Sequence, residues 1–155
     1  MNGFRRTFLK VTGGAGALLA AGAAGLLRNG LAGAASRNES AFASKAVAET
    51  LKTLGAANLI DSKDIAITAP DIAENGAVVP IAVTSKIANT QSISIIAEKN
   101  PFPLAATFDI ANGGEPYVST RVKMGQTSNV RAVVKSDGKF YTAVKEVKIT
   151  VGGCG

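Results

Sequence analysis

A chain of 155 residues with 17 basic and 11 acidic side chains, no histidine and no tryptophan has room for one domain once an N-terminal leader is set aside. Without histidine there is no Ser-His-Asp or Cys-His nucleophile arrangement and none of the usual zinc or copper ligand sets. Four basic residues (Arg5, Arg6, Lys10, Arg28) and no acidic ones precede residue 35, so the rest carries about +2, a balance that argues against a nucleic-acid partner.

The N-terminus reads as a twin-arginine export signal. "GFRRTFLK" places Arg5 and Arg6 ahead of Phe8, Leu9 and Lys10, and an apolar Gly/Ala-rich stretch follows from Val11 to about Leu27. Its glycines and the small residues Ala32 and Ala34, with A-x-A spacing, favour a cleaved leader over residues 1–34 rather than a lasting membrane anchor. Such a leader directs a folded protein to the periplasm, an oxidising compartment. No cofactor is expected.

Residues 35–151 are expected to form the domain. Ser36 and Glu39 have capping-box spacing, and Phe42, Ala43, Ala46, Val47, Leu51 and Leu54 recur at helical intervals up to Gly55. One amphipathic helix of about four turns is predicted, its apolar face either packed on the domain's own sheet or docking a partner. From Asp64 the period becomes two. Seven strands are predicted, over 64–69, 78–85, 92–98, 103–110, 117–123, 129–136 and 139–151, with the density of an immunoglobulin-like antiparallel β-sandwich. Pro80 lacks an N–H, which predicts an edge or a bulge in the second strand, and Asp137-Gly138 predicts a tight hairpin. Phe140, Thr142 and Val144 have the opposite parity to Val147, Ile149 and Val151, which predicts a bulge near Lys145-Glu146 with the last three buried. Asn112-Gly113-Gly114-Glu115 is expected to be a turn, with an anion-binding nest as the alternative. "KMGQTS" (123–128) is expected to be a structural loop or a partner contact.

The last four residues, Gly152, Gly153, Cys154 and Gly155, hold the only cysteine. Glycines on both sides predict a flexible arm, with a reach on the order of 10 Å at about 3.3–3.6 Å per residue. A lone thiol cannot pair within its own chain, and no C-x-x-C partner exists for a dithiol cycle. Only Lys145 and Lys148 stand upstream as cations that could favour the thiolate. The pattern suits a passive attachment point rather than a catalyst; the alternative is a periplasmic immunoglobulin-like interaction module whose cysteine is incidental.

Gly152-Gly153-Cys154-Gly155, together with "ENGAVVPI" (74–81), "NPFPLAATFDI" (100–110) and "PYVSTRVKMGQTSNVRAVV" (116–134), resembles SoxY, the sulfur-carrier subunit of the bacterial Sox thiosulfate-oxidising system. That family ends in Gly-Gly-Cys-Gly-Gly; the final glycine is absent here. The resemblance implies an immunoglobulin-like domain with no catalysis of its own, whose Cys154 holds thiosulfate-derived sulfur on a swinging arm. It further implies a heterodimer with a SoxZ-like subunit and transient visits to SoxAX, SoxB and, in some organisms, SoxCD.

Overall fold

The computed structural model describes residues 37–150, nearly all within a compact unit that begins at Asn38. All seven expected strands form: β2 (Ile65–Thr68), β4 (Val79–Ser85), β5 (Thr90–Ala97), β6 (Leu104–Asp109), β7 (Tyr117–Val122), β8 (Ser128–Ser136) and β9 (Lys139–Ile149). Two short strands, β1 (Leu59–Asp61) and β3 (Ile72–Ala73), were not foreseen. Both run parallel to β9. They are too short to show alternation, and β9 supplies the backbone partners that make them strands.

The strands form an immunoglobulin-like sandwich. The larger sheet has the order β1-β9-β8-β5-β6, with β3 also paired to β9, and the smaller one the order β2-β4-β7. Val79, Ile81 and Val83 of β4 and Val118 and Val122 of β7 meet Ile93 and Ile95 of β5, Val130, Ala132 and Val134 of β8 and Val147 of β9 in one buried cluster. These residues alternate along their strands, as an inward-facing set must.

Pro80 is not on an edge strand, because β4 lies between β2 and β7. Pairing with β2 stops at Ala82, however, whereas pairing with β7 continues through Pro80 to Val79. The proline therefore stands where its strand has a neighbour on one side only, which meets the same physical requirement.

The expected single helix is two. Helix α1 (Glu39–Ala43) starts at Asn38, whose Oδ1 accepts from the Ala41 N–H at 3.1 Å, so the cap is not Ser36, which lies outside the described residues. The chain is extended at Ser44 and again at Ala46 before α2 (Val47–Thr53). The Ser44 hydroxyl donates back to the Ser40 carbonyl at 2.9 Å, an arrangement that competes with continuing the helix. The break leaves the apolar surface continuous: Ala41, Phe42, Val47, Leu51 and Leu54 cover Ile96, Leu104, Val133 and Phe140 on the outer face of the larger sheet. The helical face thus packs on the domain's own sheet.

Candidate functional site

Val151, Gly152, Gly153, Cys154 and Gly155 lie outside the described residues, as do Arg5 and Arg6, where an export signal is expected. The structure describes the end of β9 from which those C-terminal residues continue, and that end is built by β9 and its neighbours.

At the start of β9, Asp137 (φ 47°) and Gly138 (φ 75°) both occupy the left-handed region, the conformation a type I′ hairpin requires. From Ser136 opposite Lys139 to Ser128 opposite Val147 the register with β8 never shifts, so the expected bulge near Lys145-Glu146 is absent. The apparent change of parity comes from which face is covered. Tyr141, Ala143, Val147 and Ile149 face the inter-sheet core throughout. Phe140 and Thr142 point the other way and are shielded because the helical layer and the Arg131 side chain lie over that end, while Val144, on the same face farther along, is 44% exposed. Val147 is fully buried, and Lys148 and Thr150 are exposed as expected.

The end of β9 is held from both sides. On one side Lys148 N–H donates to the Asp71 carbonyl at 2.9 Å and Thr150 N–H to the Ala73 carbonyl at 3.2 Å, continuing the parallel pairing with β3. On the other, Ile149 N–H donates to Thr127 Oγ1 at 3.0 Å. Gly76 sits where three segments converge: a Cβ there would overlap the Met124 carbonyl oxygen and crowd Ile149 Cγ2 at 3.1 Å. Met124 is buried, and its N–H donates to the Gly76 carbonyl at 2.7 Å. Lys145, one of the two upstream cations, is engaged elsewhere, its Nζ donating to the Ala69 carbonyl at 2.7 Å and pairing with Asp71 at 3.0 Å. Lys148 has no side-chain partner among the described residues.

The "KMGQTS" segment is therefore a structural loop that braces the end of β9. Besides Thr127 and Met124, the Ser128 hydroxyl accepts from Lys99 N–H at 3.0 Å and the Lys123 carbonyl from Asn100 Nδ2 at 2.7 Å. These connections join residues distant in the chain, and no periodicity signals them. The close approach of Gly76 to the buried Met124, far apart in the chain, could be found only from the packing.

Asn112-Gly113 is a turn: Gly114 N–H donates to the Ala111 carbonyl at 2.8 Å, with Gly113 at φ +78°. Its residues line a cleft with Asn89 and Asp137 at the hairpin end of β9. Eleven residues of β9 separate that end from its C-terminal end, about 35 Å at the rise of a strand. Among the described residues no group of three histidine, cysteine or acidic side chains is placed to hold a metal, and no helix is long and apolar enough to cross a membrane.

Comparison with known proteins bears on these residues directly. The family model described as sulfur oxidation protein SoxY matches residues 51–154. The solved structure of the sulfur carrier protein SoxY from Chlorobium limicola f thiosulfatophilum is 43% identical over 61% of this chain and 88% of that chain, with a TM-score of 0.56. No curated protein matches.

Proposed function

The chain belongs to the SoxY family of sulfur oxidation proteins, and on that footing we propose that it is a non-catalytic sulfur carrier of the Sox system that holds its cargo covalently on Cys154. The observation that carries this is the extent of the family match, which runs through the arm to Cys154 itself. The braced root of β9 supports it: a domain that is fixed up to Thr150 gives a short glycine-rich tail a constant origin.

Loading joins the Cys154 sulfur to the outer sulfur of thiosulfate. The thiol loses one proton, the new S–S bond leaves two electrons to a c-type haem partner of the SoxAX kind, and the product is a cysteine S-thiosulfonate. Hydrolysis by a SoxB-like partner then adds one water, releases sulfate and two protons, and leaves a persulfide anion on the cysteine. A SoxCD-like enzyme, where present, would oxidise that sulfur further. None of these steps asks the carrier for an acid, a base or a metal; it supplies the thiolate and its reach. The thiolate is the reacting form and is a minor species at neutral pH for a cysteine of ordinary pKa, about 8.5, so activation falls to the partner.

In this proposal the chain crosses to the periplasm on the twin-arginine signal around Arg5 and Arg6, pairs there with a SoxZ-like subunit, and leaves its leader behind. The test is Cys154→Ser in a reconstituted thiosulfate-oxidising system. Loss of thiosulfate-dependent activity with an unchanged melting curve is expected; retained activity would discard the carrier in favour of an interaction module. Intact mass of the protein from thiosulfate-grown cells, with and without reductant, checks the cargo independently, the expected finding being reductant-labile sulfur on Cys154.

A further inference from the structure

An asparagine followed by glycine is open to attack from its own backbone. The glycine nitrogen can close on the side-chain carbon of the asparagine, and with no Cβ on the glycine the main steric obstacle to that approach is gone; such chemistry makes asparagine a thermolabile residue. Among the described residues two asparagines precede a glycine, Asn75-Gly76 and Asn112-Gly113, and both asparagines are exposed. Asn38, Asn58, Asn89 and Asn129 are followed by residues with side chains, and Asn100 by Pro101, which has no N–H to give up.

The fold treats the two pairs differently. Asn75 Oδ1 accepts from Ala77 N–H at 2.9 Å, capping the single 3₁₀ turn Gly76–Val78. The Gly76 carbonyl accepts from Met124 N–H at 2.7 Å, and the space a Cβ would take on Gly76 is filled by the Met124 carbonyl. Side chain and backbone cannot turn toward each other there without breaking these contacts. Asn112-Gly113 has none of them. Its turn is closed by one hydrogen bond, from Gly114 N–H to the Ala111 carbonyl at 2.8 Å, which spans the pair without holding it. Neither the Asn112 side chain nor the Gly113 N–H has a hydrogen-bond partner among the described residues, and nothing lies within 4 Å of where a Cβ on Gly113 would stand. Two successive glycines, the first at φ +78°, leave this backbone the widest choice of conformations.

We propose that Asn112 is a modification site, which converts in the folded protein to aspartate and isoaspartate through a succinimide, while Asn75 is protected by the contacts around Gly76. The Gly113 nitrogen bonds to Asn112 Cγ, the bond from Cγ to Nδ2 breaks, and ammonia leaves with the proton that Gly113 gave up. Water then opens the ring at one of its two carbonyls. The sum is one water in and one ammonia out, with no change of oxidation state and no partner enzyme. The product sets a carboxylate in the cleft that Asn112 and Gly113 line with Asn89 and Asp137, where Asn89 Nδ2 already donates to Asp137 Oδ2 at 3.2 Å. The isoaspartate form also routes the chain through the side-chain carbon, lengthening the β6–β7 turn by a methylene. This end of the sandwich gains negative charge with age, whether or not the chain is a sulfur carrier.

The experiment holds the chain without its leader in warm, mildly alkaline buffer, once native and once unfolded in urea, and digests samples under acid for mass spectrometry. In the native chain the peptide carrying Asn112 should gain the mass of an amide exchanged for an acid on the order of tenfold or more faster than the peptide carrying Asn75, whose reaction waits on local opening. In urea the two rates should come together. Methyl transfer from S-adenosylmethionine by an isoaspartyl methyltransferase reads the isoaspartate form separately. Asn112→Gln, at an exposed position with no side-chain contact to lose, should remove the acidic species on isoelectric focusing and keep the melting curve. An Asn112 that stays an amide in the native chain as long as Asn75 does would overturn the proposal, as would an acidic species of the same abundance in the variant. A gap between the two sites that persists in urea would overturn the protective role of the Gly76 contacts.

Discussion

Replacing Thr127 by valine removes the oxygen that accepts the Ile149 N–H at 3.0 Å while keeping the β-branched shape. The lost bond itself is worth about 0.5–1.5 kcal/mol net, and a half-buried amide left without a partner raises the cost toward about 1–3 kcal/mol. Taking about 1–2 kcal/mol, local opening at the end of β9 becomes roughly 5–30 times more frequent. Native-state hydrogen exchange should show that acceleration at Ile149, with Val133, Val134 and other amides at the centre of the larger sheet changing by no more than the global loss. The melting temperature should fall by about 3–8 °C, in keeping with the size of the domain. An Ile149 amide that exchanges at its original rate would refute the reasoning, because the Thr127 hydroxyl would then not be holding the strand.

Gly76→Ala should be the most damaging small substitution, because the new Cβ overlaps a backbone carbonyl and presses on Ile149; a loss of about 2–3 kcal/mol is expected in urea unfolding. Gly138→Ala places a side chain at φ 75° in open space, so only backbone strain opposes it, about 1 kcal/mol. Glu98→Gln breaks the ion pair at 2.7 Å to Arg131 but keeps a hydrogen-bonding amide; with both side chains about one-fifth exposed, about 1 kcal/mol is expected, read as a shift in urea midpoint at unchanged slope.

The larger strands were legible because each carries several apolar residues of one parity and ends in turn chemistry such as Asp137-Gly138. β1 and β3 were not, since two or three residues show no period and their hydrogen bonds belong to β9. The helix was legible as an apolar stripe, yet its break was not: the stripe continues in space across Ser44–Ala46 even though the backbone does not. The false bulge in β9 arose from equating buried with inward. Phe140 is covered by the helices on the outer face, so burial changes sides along a strand whose register is regular. At the candidate site, Cys154 stands out in composition alone. The residues that hold the end of β9, Thr127, Met124 and Gly76, lie on loops brought together only by the fold.

β9 has neighbours along both edges, β8 antiparallel on one and β1 and β3 parallel on the other. A pull on the chain beyond Thr150 that follows the axis of this strand acts crosswise to its hydrogen bonds with β8. Those bonds are then loaded together in shear instead of being peeled one at a time. Under the proposed carrier role, partner enzymes that handle the tail load this strand as a whole, and the domain behind it serves as a rigid mount.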